Sequence, residues 1–408
     1  MARVVVTGMA GISPIGSTWP EVATSLKGLQ SGVRRMSDWE IYEGLNTCLG
    51  APVEDFTKPE HYSRKAVRSM GRVALLATRA SELALEDAGL VGAAVLTDGR
   101  TGVSYGSSSG SPPAMADFGH MLVDDSTDGL TANTYIKMMP HTAPVNLAVF
   151  FGLKGRVITT SSACTSGSQG IGYAYEAVRA GKQTVMVSGG SDELSVTQAA
   201  VFDTLYATST RNDEPDQTPR PFDVDRDGLV VGEGAATLIL EDLEHARARG
   251  ATLYAEVVGY ATNADGVHVT QPVRETQQIC MRGALDDAGL SADAIGYISA
   301  HGTATSQGDV AESRATAELF GSNTPISALK SYTGHTLGAC GALEAWVAIN
   351  MQREGWFHPT VNLDRVDPEC AELDYITGAP RALSCEYVMS NNFAFGGINT
   401  SLIFRQID

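Results

Sequence analysis

The chain has 408 residues, of which 43% are hydrophobic, so it can bury a large core as two or three domains or as one large α/β unit. Its formal net charge of −18 disfavours nucleic acid and anionic membranes as general partners. Its six cysteines are scattered without a CxxC pair, and the sequence shows neither a signal-peptide core nor an apolar run of membrane-spanning length. We therefore expect a cytoplasmic protein without structural disulfides.

Strands and helices alternate along the first half of the sequence, which is typical of layered α/β folds. Residues 4–7, 102–105, 157–160 and 184–187 are β-branched or apolar and predict strands. Residues 66–87 predict one helix that ends at Gly89. The apolar residues 135–151 are interrupted by prolines and predict part helix and part pocket wall. Residues 208–228 are polar and rich in proline, which is typical of a long surface loop.

A cysteine lies at the turn after the third of these strands. Beyond Cys164, apolar residues recur at Ile171, Ala174, Tyr175 and Val178, the spacing of a buried helix face. A thiol at the start of such a helix faces free N–H groups and the positive end of the helix dipole, which favour the thiolate. Cys164 is therefore a candidate nucleophile, although most free cysteines are small buried core residues.

The second half repeats features of the first. The segment LEDAGL at 85–90 recurs as LDDAGL at 285–290, and GEGAATLIL at 232–240 matches GGINTSLIF at 396–404. Because the two matches occur in the same order, they predict two halves with a similar arrangement of strands and helices.

Two histidines of the second half lie at the ends of predicted strands. His301 and His335 each follow a short apolar run that predicts a strand, and strand ends open onto loops where function concentrates. The helix predicted after His335 carries Glu344. In a duplicated fold this strand, turn and helix correspond to those around Cys164, so we expect His335 to lie near Cys164.

A glycine-rich turn lies near the C-terminal end. Residues 390–399 have the sequence SNNFAFGGIN, and such a loop exposes backbone N–H groups that suit an oxyanion hole, although a plain tight turn has the same pattern.

Some motifs are expected to carry no chemistry. Residues 106–110 match the G-x-S-x-G pattern of serine hydrolases, but prolines follow at 112 and 113 where that motif needs a helix, so Ser108 is not expected to be a nucleophile. Asp223, Asp225 and Asp227 lie in the polar segment and are expected to be solvated, so no metal site is expected there.

Together these motifs resemble those of a known family. They are VVTG at 5–8, ACTSG at 163–167, STRND at 209–213, HGTAT at 301–305, KSYTGHTLG at 330–338 and FAFGGIN at 393–399. Over essentially its whole length the chain resembles the elongating β-ketoacyl-[acyl-carrier-protein] synthases of the thiolase superfamily, which carry a Cys-His-His set. The resemblance implies a five-layered αβαβα fold from two duplicated halves, 1–250 with the nucleophile and 251–408 with the histidine pair. It also implies a homodimer, with a heterodimer with a related subunit left open.

The resemblance also implies the chemistry. An acyl chain would pass from acyl carrier protein to the cysteine as a thioester, and malonyl-carrier protein would lose CO2 and attack it. The implied catalytic residues are Cys164, His301, His335, Lys330, Glu344 and Phe395. The histidines would stabilise the enolate, the backbone N–H groups of Cys164 and Phe395 would hold the acyl oxyanion, and Lys330 and Glu344 would pair. No metal or redox cofactor is implied, because phosphopantetheine arrives on the carrier protein.

Further residues are implied to contact the substrate. Thr303 and Thr305 would hold the phosphopantetheine arm. Ser109 and Phe202 would line the acyl pocket, where the small serine leaves the tunnel open behind a movable phenylalanine.

A basic segment is implied to dock the acidic carrier protein. The helix predicted for residues 63–68 places Arg64 and Arg68 four positions apart on one face, with Lys65 beside them. In a chain of net charge −18 such a cluster is a candidate protein contact, and a solvated helix face is the alternative.

Two features depart from the family pattern. The family usually has glycine where this chain has Ala394, and a Cβ restricts positive φ, so we expect a stiffer glycine loop. Basic residues that contact the carrier protein in parts of the family are missing near Tyr206. Both favour a specialised synthase of a polyene or polyketide-like pathway, and fatty-acid synthesis is the alternative.

Two other functions fit the sequence less well. A non-catalytic chain-length subunit would dimerise with an active synthase, but such partners lack the nucleophile, and Cys164 is present. A degradative thiolase generally needs a second catalytic cysteine near the last glycine loop, and residues 386–408 contain none.

Overall fold

A computed structural model describes residues 1–407 of the chain. The strands are Val4–Ile12 (β1), Arg34–Arg35 (β2), Leu49–Ala51 (β3), Thr101–Gly106 (β4), Val157–Thr160 (β5), Val185–Asp192 (β6), Val231–Gly232 (β7), Gly234–Asp242 (β8), Ala255–Ala264 (β9), Ile295–Ser299 (β10), Pro325–Ser327 (β11), Trp356–Phe357 (β12), Asp374–Tyr375 (β13), Arg381–Ala382 (β14), Tyr387–Ala394 (β15) and Ile398–Gln406 (β16). The α-helices are Trp19–Lys27 (α1), Arg64–Val67 (α2), Arg72–Asp87 (α3), Ala94–Thr97 (α4), Pro112–Asp124 (α5), Ala132–Met138 (α6), Thr142–Phe151 (α7), Ser166–Arg179 (α8), Val196–Asp203 (α9), Leu243–Ala248 (α10), Arg274–Ala288 (α11), Ser306–Phe320 (α12), Lys330–Thr333 (α13) and Cys340–Glu354 (α14).

The main sheet shows the duplication directly. Its 11 strands run in the order β13-β11-β10-β15-β16-β9-β1-β8-β6-β4-β5. On each side of the boundary between β9 and β1, five strands have the same spatial order when numbered along the chain: third, second, fourth, fifth, first from the outer edge inwards. The short β13 is an eleventh strand at the edge of the second half. The parallel and antiparallel pairings are also the same in both halves. The predicted duplication is therefore confirmed, and the expected boundary at residue 250 falls between α10 and β9.

Three groups of core residues divide the fold into five layers. Along β6, Val185 and Val187 pack with α3 and α7 on one face, whereas Met186 packs with α8 and α14 on the other. The second half places α11 and α12 on its own outer face. All but three of the 14 residues of α8 and all but two of the 15 residues of α14 are buried. The order is thus helix, sheet, central helix pair, sheet, helix, which confirms the predicted αβαβα architecture.

Two helix predictions were wrong. Residues 64–87 form α2 and α3, because the chain is extended at Gly71, where a Cβ would lie 2.4 Å from the Ser111 side chain. A helix also begins directly at Pro112, although the prolines predicted none. Proline is tolerated in the first turn, since the N–H it lacks has no partner within the helix. Ser108 lies in the turn before this helix, and its backbone N–H donates to Asp192 at 2.9 Å.

The predicted surface loop 208–228 is only partly at the surface, since residues 210–217 are exposed or half-buried and residues 218–223 are buried. Phe222 and Asp223 are fully buried within it. Asp223 accepts hydrogen bonds from Nε of Arg220 at 3.1 Å and from the backbone N–H groups of Asp364 and Arg365 at 2.9 Å. These bonds satisfy the carboxylate, so the expectation that Asp223 is solvated was wrong. In the part of the chain that the structure describes, no helix is long and apolar enough to cross a membrane.

Candidate active site

Cys164 lies in the turn between β5 and the central helix α8. The preceding residue, Ala163, has φ 52°, a left-handed conformation that is uncommon for a residue with a Cβ. Ser166 stabilises this turn, because its Oγ donates to the Ala163 carbonyl at 2.7 Å and accepts from the N–H of Ser162 at 3.0 Å. The turn brings the thiol to the cavity wall between the two halves, and the side chain is almost completely buried.

His335 contacts the thiol, as the duplication predicts. Its Nε2 lies 2.9 Å from Sγ of Cys164, and its Nδ1 accepts the backbone N–H of Leu337 at 3.3 Å. An imidazole that accepts at Nδ1 carries its proton on Nε2 when neutral. His335 therefore directs an N–H donor at the cysteine and the space in front of it.

His301 has the same orientation through different partners. Its Nδ1 lies 3.1 Å from Nζ of Lys330 and 3.3 Å from Nδ2 of Asn392, both of which are donors. The proton of the neutral ring is therefore on Nε2. The rings of His301 and His335 are nearly perpendicular, and their centroids are 5.3 Å apart. The site thus contains one thiol and two ring N–H donors.

Lys330 and Glu344 form a buried ion pair behind the histidines. Nζ of Lys330 donates to Oε1 of Glu344 at 2.5 Å, and Nδ2 of Asn392 donates to Oε2 at 2.6 Å. Burial opposes the charge of Lys330, but Cys340 and Glu344 outweigh that cost and leave the pKa of Lys330 raised. A cation is therefore held beside His301.

The pKa values of the three reactive groups reflect their burial. Burial raises the pKa of the Cys164 thiol to about 11, although the charge of Lys330 and the backbone N–H groups of Phe395 and Cys164 act in the opposite direction. Desolvation thus acts against the helix start, and being the larger effect it favours the protonated thiol. Burial and the charge of Lys330 hold the pKa values of His301 and His335 well below their usual range, so both rings are neutral near pH 7.

Two residues that position the His301 turn were not predicted. Glu312 of α12 accepts the backbone N–H groups of His301 at 2.6 Å and Gly302 at 2.7 Å, and burial raises its pKa to about 8. Asn392 lies in β15 between Asn391 and Phe393, and its Nδ2 lies 3.3 Å from Nδ1 of His301. The available signals were an acidic residue 11 positions after His301 and a polar residue in the segment 390–399, and both are weak by themselves.

A cavity of about 360 Å³ opens in front of the three groups. Phe202 and Phe395 lie on one side of it with ring centroids 5.0 Å apart, and Thr303 and Thr305 lie on another with their hydroxyl oxygens 2.9 Å apart. The structure thus brings the predicted nucleophile, both histidines, both threonines and both phenylalanines to one space. Cys164 and the histidines also place three donor atoms within 4.8 Å of one another, a set that could bind a soft divalent cation.

The expectation of a stiffened glycine loop was wrong. Ala394 is the last residue of β15 and pairs with Ile398 of β16, so its φ is that of a strand. The left-handed positions are Gly396 and Gly397, with φ of 89° and 67°. A Cβ on Gly397 would lie 2.8 Å from Asp265. The two glycines that the turn requires are both present.

Known proteins resemble this chain over its whole length. The model of the β-ketoacyl synthase N-terminal domain matches residues 1–246, and that of the β-ketoacyl synthase C-terminal domain matches residues 254–364. The chain belongs to the β-ketoacyl synthase family. It is 38% identical to 3-oxoacyl-[acyl-carrier-protein] synthase 2 of Synechocystis, over 99% of this chain and 98% of that protein.

Solved structures of family members have the same fold. A β-ketoacyl synthase from Burkholderia phymatum is 60% identical to this chain, with a TM-score of 0.99 and complete coverage of both chains. The ishigamide ketosynthase/chain length factor is 31% identical, with a TM-score of 0.91 and complete coverage of both. The resemblance drawn from the motifs is thereby confirmed.

The remaining residues expected at family sites lie away from the cavity. Ser109 does not line it; this residue is half-buried before α5, and its Oγ donates to the Gly110 carbonyl at 3.2 Å. Arg64, Lys65 and Arg68 are exposed at α2, where the Ser63 side chain accepts the N–H of Ala66 and caps the helix. The structure therefore assigns the basic cluster to the surface and Ser109 to a loop outside this cavity.

Proposed function

We propose that the protein is a 3-oxoacyl-[acyl-carrier-protein] synthase that lengthens an acyl chain by decarboxylative condensation. The observation that carries the proposal is the thiol of Cys164 in a buried cavity with the Nε2–H donors of His301 and His335. Family membership over both domains supports the same reaction. The name of the Synechocystis relative supports acyl carrier protein as the substrate carrier.

In the first half-reaction, Sγ of Cys164 attacks the thioester carbonyl carbon of the acyl-carrier protein. The new C–S bond replaces the bond to the pantetheine sulfur, which leaves with the cysteine proton. The backbone N–H groups of Cys164 and Phe395, which already approach the thiol, are placed to donate to the oxyanion. Because the resting thiol is protonated, the Nε2–H of His335 at 2.9 Å supports the negative charge as it forms on sulfur.

In the second half-reaction, the malonyl thioester loses CO2 and its electron pair moves onto the thioester oxygen as an enolate. The neutral rings of His301 and His335 each present an Nε2–H to this oxygen. Both rings keep that proton because their Nδ1 atoms accept hydrogen bonds. The carbanion then attacks the acyl-cysteine carbonyl, the Cys164 thiolate leaves and is reprotonated from solvent, and 3-oxoacyl-carrier protein departs.

Product analysis tests this function. Purified protein is incubated with acyl- and malonyl-carrier protein, CO2 release is measured, and the carrier species are weighed by mass spectrometry. We expect one 3-oxoacyl-carrier protein, longer by the malonyl-derived unit, for each CO2. The Cys164→Ala variant, which loses only a small thiol, should neither acquire an acyl group nor condense. A wild-type protein that releases CO2 without chain elongation, or does nothing, would contradict the proposal.

We also propose that the active form is a dimer in the cytoplasm, with no tightly bound cofactor. The edge of the main sheet at β5 is unpaired and has Val157 47% exposed, which is the kind of edge that a second chain covers. A second copy is the preferred partner, and the ishigamide ketosynthase/chain length factor shows that a relative works with a related subunit. Light scattering of the pure protein tests this, since a monomer at micromolar concentration would exclude the homodimer.

A further inference from the structure

One buried side chain of the cavity has an unsatisfied polar atom. Gln277 lies in the first turns of α11, lines the cavity, and is 1% exposed. Within the described residues, its carboxamide oxygen Oε1 is buried and accepts no hydrogen bond. A buried acceptor without a partner destabilises the protein, so such a group calls for a binding partner that is not part of the chain.

The other fully buried amide of the cavity differs in this respect. Asn399 uses its Nδ2 to donate to Oδ1 of Asn263 at 2.9 Å and to Oδ1 of Asp265 at 2.7 Å. It therefore serves the internal packing of the glycine turn. Gln277 carries the same functional group at the same cavity without that internal use.

The chemistry of the substrate identifies the matching group. The unsatisfied atom is an acceptor, so its partner must be a donor. The thioester and the malonyl group of the substrate contain only acceptors, whereas the pantetheine arm contains the donors, its amide N–H groups and its hydroxyl. A carboxamide side chain can also pair with both groups of an amide, since its nitrogen donates to the amide carbonyl and its oxygen accepts from the amide N–H.

We propose that Gln277 binds an amide of the pantetheine arm and helps to hold carrier-bound substrates in the cavity. This inference rests on the proposed function. The contact is present before and during the reaction, so it contributes to substrate binding and not to the stabilisation of the enolate.

Thioesters that carry two, one or no amide groups provide the test. Malonyl thioesters of pantetheine, of N-acetylcysteamine and of a plain alkanethiol carry progressively fewer amide groups. The variant Gln277→Met keeps the side-chain length and removes the amide. The matched control is Gln278→Met, which changes the neighbouring glutamine that does not line the cavity.

We expect Gln277→Met to raise KM for malonyl-pantetheine by about threefold to tenfold, the effect of one hydrogen bond, with kcat unchanged. The alkanethiol thioester should react equally well with the variant and the wild type. The N-acetylcysteamine thioester shows which amide is bound. The variant should be at least as stable as the wild type to heat, because a buried unsatisfied amide is removed.

Two results would overturn the proposal. One is an equal loss with the amide-free thioester, which would show that Gln277 acts on the structure of the site. The other is an unchanged KM for malonyl-pantetheine.

Calorimetric binding of pantetheine itself gives a measurement that does not need turnover. A wild-type protein that binds pantetheine but does not condense would therefore refute the proposed function, while the effect of Gln277→Met on that binding would still decide this proposal.

Discussion

At the scale of single residues, the protonation state of Cys164 leads to a pH prediction. The ordinary pKa of a cysteine thiol is 9.0, and burial raises that of Cys164 to about 11. The reactive thiolate is thus a minor species at neutral pH, and its fraction rises about tenfold per pH unit until the pKa is approached. We expect the rate of alkylation of Cys164 by iodoacetamide to keep rising up to about pH 10.

The measurement is mass spectrometry of the peptide that contains Cys164. The variant Cys340→Ala is the control, because the Cys340 thiol donates to the Cys164 carbonyl at 3.3 Å and lies within the same buried cluster. The Cys340→Ala substitution should leave the pH dependence of Cys164 alkylation unchanged. An alkylation rate that levels off near pH 7 would show a resting thiolate and would restore the helix-start explanation.

The histidines lead to a second prediction at this scale. His301→Ala and His335→Ala each remove one donor to the enolate, so malonyl decarboxylation should fall by on the order of 10²–10³. Acylation of Cys164 should remain measurable in both, since no histidine accepts its proton in the first half-reaction. Labelled CO2 release and intact-protein mass measure the two steps separately. Near-normal CO2 release from either variant would contradict the role of the pair as donors.

At the scale of elements, the contact between α8 and α14 depends on small residues. A Cβ on Gly341 of α14 would lie 2.4 Å from Oδ1 of Asn392 and 2.8 Å from Cβ of Ser168 in α8. Gly341→Ala should therefore push the central helices apart and lower the free energy of unfolding by about 1–3 kcal/mol. The movement of Asn392 should also weaken its bond to Glu344 and reduce activity.

A glycine in an open helix provides the matched control. Gly119 of α5 is exposed, and an added Cβ would meet nothing within 4 Å. Gly119→Ala should raise stability by about 0.4–1 kcal/mol, because alanine lowers the entropy of the unfolded chain. Scanning calorimetry of both variants measures the two effects. Equal melting temperatures for Gly341→Ala and the wild type would show that the contact between α8 and α14 accommodates the added methyl group without loss of stability.

Elements differ in how far the sequence predicted them. The β5–α8 and β11–α14 units were predictable because strand runs and helix periodicity are local, and the repeat of GEGAATLIL aligned the halves and placed His335 near Cys164. The helix at Pro112 and the buried segment around Phe222 were not predicted, because tertiary hydrogen bonds decide whether polar chain is buried. The roles of Glu312 and Asn392 and the raised pKa of Cys164 also depend on burial, which no local pattern gives.

At the scale of the whole molecule, the charge distribution leads to a prediction about docking. In a chain of net charge −18, Arg64, Lys65 and Arg68 are exposed together, and no ion pair among residues 1–407 involves them, whereas Arg72 nearby pairs with Glu233. Reversing Arg64 and Arg68 to Glu should raise KM for carrier-bound substrates by roughly tenfold at low salt. The effect should shrink as ionic strength rises.

Kinetics with malonyl-carrier protein and with malonyl-pantetheine separate docking from catalysis. The pantetheine substrate should be far less affected, because it has no acidic protein to dock. Reversing Arg247 and Arg282 on α10 and α11 changes the net charge equally and serves as the control. An equal loss with both substrates would indicate a folding defect, and an equal loss in the control pair would indicate a general effect of charge.

The division of the site between the two halves has a consequence for synthesis. The atoms that meet at 2.9 Å in Cys164 and His335 belong to residues 171 positions apart. The N-terminal half emerges from the ribosome first, and domains generally fold in that order. The nascent chain therefore carries Cys164, in the turn before α8, before α14 exists to cover that helix. The active site is therefore completed only after the second half has been synthesised, and the moment at which Cys164 becomes protected from alkylation marks that step.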